Sequence, residues 1–266
     1  VGPDGFFMAT KKVNAPHYEF EKFVGAMLDV YLYTGNKTAL GLLDGMAGWG
    51  LANLDTENQY AFNAASGSTE WYTVPETSYR AYLVTGNEKF KRIADTFVAS
   101  LYFQTVAKDD LDELFAVADA ESKGWYHAYS HLNALNSAAM KYFAEGDADM
   151  LETITAGYRL FQDTQVFPTG GFGPNESLVR ENGRYESLYV TEKSAEIPCG
   201  SWAIAKLNKY LTEFTGQGNY AQWWEEMLYN GVGATPVPER DGRIDYYHSY
   251  SPLGAEKTPI NANSCC

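Results

Sequence analysis

The chain has 266 residues, of which 45% are hydrophobic and 20% charged, and its formal net charge is −14. This composition is typical of a globular protein with a sizeable core and excludes a disordered or fibrous chain. Acidic residues outnumber basic ones by 34 to 20 without a basic cluster, so nucleic acid and anionic membrane surfaces are excluded as partners. No run approaches the roughly 20 apolar residues of a membrane helix, and no membrane insertion is expected.

The aromatic content, at 15% of the chain, is dominated by 20 tyrosines. A tyrosine offers a flat apolar face with a hydrogen-bonding tip, which suits the binding of sugar rings. The same side chains also fill helix interfaces, so composition alone leaves both roles open.

Four glycines follow apolar stretches of helical periodicity and precede a polar residue: Gly35, Gly86, Gly146 and Gly216. A glycine in this position typically ends a helix, and the polar residue after it can begin the next one. The intervals between them leave room for one helical hairpin and a loop each, so the sequence predicts an all-α fold of stacked helical hairpins. No interdomain linker is visible, and residues 1–266 are interpreted as one domain.

Longer segments rich in Gly, Asn, Ser and Pro separate the predicted hairpins, at 58–75, 119–128, 165–195 and 233–264. Loops of this length in a compact domain usually carry function, so the candidate chemistry is sought there. The alternation from Arg243 to Tyr250 predicts one short strand.

Three cysteines are present, namely Cys199 and the adjacent pair Cys265 and Cys266, and an odd count argues against a simple secreted disulfide framework. Glu196 lies just before Cys199, at the start of a predicted helix. One carboxylate and three thiolates form a plausible tetrahedral Zn²⁺ ligand set. The alternative is that Cys199 is a small core residue and the pair is incidental.

Glu176 lies in the glycine-rich segment 169–177, where the backbone can turn sharply and present a carboxylate to a ligand. This segment matches neither the dinucleotide fingerprint nor the phosphate-binding loop, so a nucleotide site is disfavoured. A general acid is one interpretation of Glu176, and a solvated loop residue is the other.

His127 and His131 are spaced to share one helix face and could bind a metal or a ligand, although such a pair is as often structural. The segment 70–72, with Trp71 and Tyr72, and the segment 246–250, ending in Tyr250, could be stacking platforms or plain packing.

Taken together, these motifs resemble the β-L-arabinofuranosidase-like glycoside hydrolases of family 127. The resemblance spans nearly the whole chain and depends on the segments 17–22, 28–31, 82–90, 131–135, 169–177 and 196–202 and on the final Cys-Cys. It implies an (α/α)6 toroid of helical hairpins, incomplete in this chain, with β-rich domains expected in the parent protein. It also implies a carbohydrate substrate.

By the same resemblance, Zn²⁺ is held by Glu196, Cys199, Cys265 and Cys266. Cys265 matches the nucleophile, Glu176 matches the acid/base, and His131 matches a position that lines the sugar site; His127, Trp71, Tyr72 and Tyr250 are further candidate substrate contacts. The founding members have Glu-x-Cys where this chain has one residue more between Glu196 and Cys199. Arabinofuranose specificity is therefore left open.

The expected mechanism is that of a retaining glycosidase in which a thiolate replaces one carboxylate. The acid role of Glu176 requires a pKa raised by enclosure. The alternatives are a non-catalytic sugar-binding toroid with a structural zinc, and a sugar epimerase or lyase with His127 or His131 as base. Reduced thiols favour the cytoplasm, but the first residue is not Met and export is left open.

Overall fold

The computed structural model describes residues 1–8, 13, 15–56, 70–120, 126–234, 245–254 and 257–259. Within them the chain is mainly helical. The helices are α1 (Pro16–Thr34), α2 (Lys37–Asn53), α3 (Val74–Thr85), α4 (Glu88–Thr96), α5 (Ser100–Val106), α6 (Leu111–Ala120), α7 (Ala128–Glu145), α8 (Ala148–Thr164), α9 (Gly183–Val190), α10 (Pro198–Thr215) and α11 (Gln222–Met227). The predicted all-α fold of helical hairpins is confirmed.

The four glycine stops lie where the sequence predicts them, and each has a left-handed backbone. Gly35, Gly86, Gly146 and Gly216 have φ values of 70°, 68°, 72° and 69°, and each amide closes the last helical turn. After the first three, the side chains of Asn36, Asn87 and Asp147 accept backbone hydrogen bonds and begin the next helix. Four hairpin turns are thus fixed by local chemistry.

Helices α1, α3, α7 and α10 form an inner arc in which each packs against the next. Their hairpin partners α2, α4, α8 and α11 pack against the outside of this arc. In helix α7, which belongs to the inner arc, every residue from Ala128 to Met140 is buried. A helix that is buried on all sides belongs to the interior of the fold.

A small antiparallel sheet joins the loops at one end of the arc. Its strands, in spatial order, are β1 (Ala195–Glu196), β2 (Asp245–His248) and β3 (Lys257–Pro259). The strand predicted between Arg243 and Tyr250 is confirmed as β2. Register places Glu196 opposite Tyr247, so the sheet ties the start of α10 to a distant part of the chain.

The predicted loop 165–195 contains an element that the sequence analysis missed, helix α9. Its eight residues carry exposed tyrosines and only one buried residue, Ser187, so no apolar face revealed it. In the described part of the chain, no helix has the length and apolarity needed to cross a membrane.

Candidate active site

The candidate site lies where the inner helices begin. His127 is the residue before α7, and Glu196 lies two residues before the first residue of α10. Glu70 precedes the short 3₁₀ turn Trp71–Thr73 that leads into α3. Three inner helices therefore bring ionisable side chains to the same end of the arc.

Glu176 reaches this end on a turn with an unusual backbone. Gly170 and Gly173 have φ values of 86° and 73°, as expected for sharp turns, while Asn175 and Glu176 have φ values of 51° and 61°. Left-handed backbone at non-glycine residues costs free energy and is concentrated at functional sites. A β-bridge between His127 and Ser177 holds the turn against the start of α7.

The side chain of Glu176 meets residues from two other segments. Its Oε2 atom lies 3.5 Å from Nε2 of His127, and its Oε1 atom accepts a hydrogen bond from the hydroxyl of Tyr247. Ligand atoms of His127, Glu176 and Glu196 lie within 4.8 Å of one another. The sequence predicts roles for all three side chains, and the structure brings them together.

Glu196 is buried, and its neighbours include the sulfur predicted to bind metal. Its Oε1 atom accepts a hydrogen bond of 2.6 Å from the hydroxyl of Tyr246, which lies 3.8 Å from the sulfur of Cys199. Burial raises the pKa of Glu196 to about 7. A buried carboxylate with this tendency is one that a nearby cation would stabilise in its charged form.

The two carboxylates differ in a way that the sequence analysis did not foresee. The expected acid/base, Glu176, has its pKa held below its ordinary value, because His127 and then Tyr247 hydrogen-bond to the charged form. The raised pKa belongs to Glu196 instead. The reason is that Glu176 is partly exposed between two donors, whereas Glu196 is buried with one.

The predicted zinc ligands are only partly within the described residues. Glu196 and Cys199 lie within them, and their oxygen and sulfur atoms flank one tyrosine hydroxyl, an arrangement that fits a zinc donor set. Cys265 and Cys266 lie outside the described residues.

The remaining predicted substrate contacts are more deeply placed. His131 is fully buried and lies 3.0 Å from the hydroxyl of Tyr102 through Nδ1, while His127 turns toward Glu176. Trp71 and Tyr72 are buried beside α7, where the Tyr72 hydroxyl lies 2.5 Å from Oγ of Ser130. Tyr250 packs edge-on against the ring of Phe167.

Ser130 received no role in the sequence analysis, and Tyr246 and Tyr247 were considered only as part of the candidate stacking segment 246–250. Ser130 orients His127, because its Oγ lies 2.7 Å from Nδ1 of the ring. The hydroxyl of Tyr246 donates to Glu196, and the hydroxyl of the adjacent Tyr247 donates to Glu176. The alternation in 243–250 predicts the strand that carries both tyrosines. Which carboxylate each hydroxyl meets depends on the register of β2, which the alternation does not give.

The chain was compared with known sequences and structures. The family model of the β-L-arabinofuranosidase GH127 catalytic domain matches residues 3–266. No curated protein gives a significant match. A GH127 β-arabinofuranosidase structure shares 17% identity and a TM-score of 0.65, covering 100% of this chain and 44% of its own.

Two further solved structures have the same fold. A GH127 β-L-arabinofuranosidase from Geobacillus stearothermophilus T6 gives a TM-score of 0.59 at 17% identity, covering 93% of this chain and 43% of its own. A cellobiose 2-epimerase from Bacillus thermoamylovorans B4167 gives a TM-score of 0.58 at 14% identity, covering 91% of this chain and 65% of its own.

The chain thus spans less than half the length of these arabinofuranosidases. At such identities the structural likeness establishes the fold, an all-α toroid of the (α/α)6 type. The match of the family model to nearly every residue establishes the family, and the chain belongs to the GH127 glycoside hydrolases through its catalytic domain.

Proposed function

We propose that the protein is a retaining glycoside hydrolase of the β-L-arabinofuranosidase type, acting on a glycan sugar, with Glu176 as acid/base and the Cys265 sulfur as nucleophile. The observation that carries the proposal is the placement of Glu176. Its side chain is 28% exposed on a strained turn, and its carboxylate lies beside the imidazole of His127 and the carboxylate of Glu196. Family membership supplies the reaction class.

In the first step the Cys265 thiolate attacks the anomeric carbon, and the bond to the leaving oxygen breaks as Glu176 gives that oxygen its proton. In the second step Glu176 takes a proton from water, whose oxygen attacks the same carbon and releases the thiolate. The resting contacts with His127 and Tyr247 favour the ionised form of Glu176, which suits the second step.

The first step requires Glu176 to be protonated. A sugar bound against the carboxylate would exclude water and compete with the two donors, and both effects raise a carboxyl pKa. His127 is the predicted substrate contact best placed to meet the sugar, because its ring lies against Glu176. We assign the buried residues His131, Trp71 and Tyr72, together with Tyr250, to the walls behind it.

We propose Glu196, Cys199, Cys265 and Cys266 as the residues that hold a zinc ion. When bound, zinc would keep its cysteine ligands deprotonated near neutral pH. The support within the described residues is the buried carboxylate of Glu196 and the sulfur of Cys199 on either side of Tyr246. His127, Glu176 and Glu196 are a second donor group for a cation, but coordination there would occupy the acid/base.

The test uses aryl furanosides and pyranosides with the full-length protein under reducing conditions. Cys265→Ser should abolish turnover of every substrate. Glu176→Gln should slow poor leaving groups most, because an activated aryl leaving group needs little help from an acid. If Cys265→Ser kept near-wild-type kinetics, the thiolate mechanism would be wrong. The interpretation that zinc has only a structural role would then take its place.

The cellobiose 2-epimerase likeness gives a second candidate, a sugar epimerase with His127 or His131 as base. Both histidines lie at or near the start of α7, but the ring of His131 is fully buried. If the enzyme kept its activity in both His127→Gln and His131→Gln, neither histidine would be the base, and this candidate would be excluded. A sugar-binding protein without catalysis would bind glycans and turn over none of the aryl glycosides.

A further inference from the structure

The turn that carries Glu176 has a strained backbone, which neighbouring contacts must hold in place. Asn175 and Glu176 both have left-handed φ values, of 51° and 61°. Such a conformation persists only where the surrounding structure fixes the chain. Before Glu176, the amide of Asn175 donates to the carbonyl of Lys193 at 2.9 Å, and the hydroxyl of Thr191 donates to Oδ1 of Asn175 at 2.7 Å. The turn is therefore anchored on the side that precedes the glutamate.

The segment that follows the turn is extended and lies between two neighbours. On one edge, His127 forms a β-bridge with Ser177, and the amide of Leu178 donates to the carbonyl of Tyr126 at 2.7 Å. In an extended chain, successive residues present their backbone groups to opposite edges. The amide and carbonyl of Val179 accordingly have a partner on the other edge.

The partner on that edge is the side chain of Gln165, the residue that follows α8. Gln165 is only 1% exposed. Its Oε1 atom accepts a hydrogen bond of 2.9 Å from the amide of Val179, and its Nε2 atom donates one of 2.9 Å to the carbonyl of the same residue. Nε2 also donates to Oγ1 of Thr164 at 3.1 Å. One buried amide thus binds both backbone groups of Val179, as a neighbouring strand would.

This pairing fixes the register of the segment against the end of α8. A buried side-chain amide is costly unless its oxygen and its N–H groups are hydrogen-bonded, and Gln165 meets that requirement through Val179 and Thr164. A shift by one residue would present backbone groups that point to the opposite edge, so Gln165 accepts the segment in one register only. Glu176 lies three residues before Val179, and its place along the chain follows from that register.

We propose that Gln165 is a positioning residue for Glu176, which it holds beside His127 by fixing the backbone at Val179. The carboxylate of Glu176 lies 3.5 Å from Nε2 of His127 in the anchored turn. The inference rests on the proposed function in one respect, because it takes Glu176 as the acid/base. A displacement of about 1 Å at a catalytic group can cost about 100-fold in rate, so the anchor matters for turnover.

The experiment compares Gln165→Met with Asn208→Leu in the full-length protein. Methionine is similar in length and volume to glutamine, but it has no N–H group and only a weak acceptor for Val179. Asn208 is the matched control, since it is a buried amide that also joins two backbone groups. It accepts from the amide of Trp224 at 3.3 Å and donates to the carbonyl of Ile204 at 2.9 Å, which links α10 to α11.

Urea unfolding checks that both variants are folded. If Gln165→Met does not fold, Gln165→Asn takes its place, because an amide that is one methylene shorter cannot reach both backbone groups of Val179.

The kinetic readout is the dependence on the leaving group. The sugar that the wild type cleaves best is supplied as its p-nitrophenyl and its methyl glycoside. Gln165→Met should lower kcat/KM for the methyl glycoside by at least about tenfold and for the p-nitrophenyl glycoside by much less, because only the poor leaving group depends on the acid. Asn208→Leu should leave the ratio of the two values unchanged.

A double variant tests whether the effect passes through Glu176. When Gln165→Met is added to Glu176→Gln, the ratio should change no further, because the acid that the anchor positions is already absent. An equal loss for both glycosides in Gln165→Met would overturn the inference. So would a further change of the ratio in the double variant.

Hydrogen exchange tests the anchor without turnover and separates it from the proposed function. In peptides that cover 173–180, the amide of Val179 and those of the turn should exchange at least about tenfold faster in Gln165→Met than in Asn208→Leu. If the wild type cleaves no glycoside, the proposed function fails, while this difference in exchange still supports the anchor. Equal exchange in the two variants would rule the anchor out.

Discussion

The imidazole of His127 is held from both sides, with Nε2 lying 3.5 Å from Oε2 of Glu176 and Nδ1 lying 2.7 Å from Oγ of Ser130. Ser130 also lies 2.5 Å from the hydroxyl of Tyr72, so a chain of polar contacts runs from α3's entry turn to the candidate acid/base. A group that fixes one nitrogen of a histidine sets what the other nitrogen can do. Ser130 is therefore a positioning residue for His127.

Ser130→Ala should lower kcat on the preferred aryl glycoside by about tenfold, because the ring of His127 loses the contact that orients it. It should also lower the free energy of unfolding by about 1 to 2 kcal/mol, since a buried hydroxyl is removed from two polar partners. Steady-state kinetics and urea unfolding measure the two effects.

The matched control is Ser137→Ala. Ser137 is also buried on α7 and donates to the carbonyl of Tyr72 at 2.5 Å, but it does not contact His127. A comparable loss of stability with unchanged kcat is expected. If the two variants had the same kcat, the positioning role of Ser130 would be wrong.

Metal content provides a second prediction. Protein purified under reducing conditions should carry one zinc per chain, and Glu196→Gln or Cys199→Ser should reduce this well below one because each removes a ligand. Inductively coupled plasma mass spectrometry gives the stoichiometry.

Tyr246→Phe is the control for the metal measurement. The tyrosine hydroxyl contacts both Glu196 and Cys199 without belonging to the proposed ligand set. This variant should retain its zinc. Full occupancy in Glu196→Gln and Cys199→Ser would place the metal elsewhere, with His127, Glu176 and Glu196 as the next group to test.

Two glycines should respond differently to alanine. A Cβ at Gly171 would lie 2.3 Å from the hydroxyl oxygen of Tyr250 and 2.7 Å from Cβ of Ala195, next to Glu196. Gly171→Ala should therefore displace the site loops and lower kcat/KM at least about tenfold. Gly35 has open space around it but a φ of 70°, so Gly35→Ala should cost about 1 kcal/mol of stability and leave kinetics unchanged. Comparable kcat/KM in both variants would contradict the role given to Gly171.

The stability of the protein should depend on Glu70 as pH rises. Burial raises the pKa of Glu70 to about 7 from an ordinary value of 4.5. The positive charges of Lys22 and Lys206 lower this pKa and the negative charge of Glu21 raises it, but burial is the largest effect. Between these pH values the unfolded chain loses its proton first, so ionisation destabilises the folded state increasingly up to about pH 7.

Glu70→Gln should consequently stabilise the protein by up to about 3 kcal/mol at pH 8 and by much less at pH 5. Urea unfolding at the two pH values measures the difference. Exposed Glu152 on α8 gives the control, since Glu152→Gln should change stability little at either pH. A pH-independent effect of Glu70→Gln would show that its charge is not the cause.

The hairpin turns could be predicted from sequence because they depend on neighbouring residues. Gly146 must be left-handed for α7 to end, and Asp147 must cap α8, and both requirements are local. Helix α9 escaped prediction because a short helix with an exposed surface has no apolar periodicity to detect.

The site was predicted in its parts but not in its pairings. Glu176, Glu196 and His127 were singled out by their local contexts, a glycine-rich loop, a helix start and a histidine pair. Their proximity depends on the bridge from His127 to Ser177 and on the register of β1 with β2, which are long-range pairings. The opposite pKa shifts of the two glutamates follow from burial, which residue spacing does not reveal.

The hairpins also give the molecule two unequal ends. At one end the chain turns within a few residues at glycines such as Gly35 and Gly146, and the site residues gather at the other end, beyond an inner helix of 18 residues in α7. At 1.5 Å per residue this helix separates the two ends by about 27 Å. A fluorophore or affinity tag introduced at one of these tight turns would therefore report on the protein without touching the chemistry, which makes them natural attachment points for single-molecule or immobilisation work.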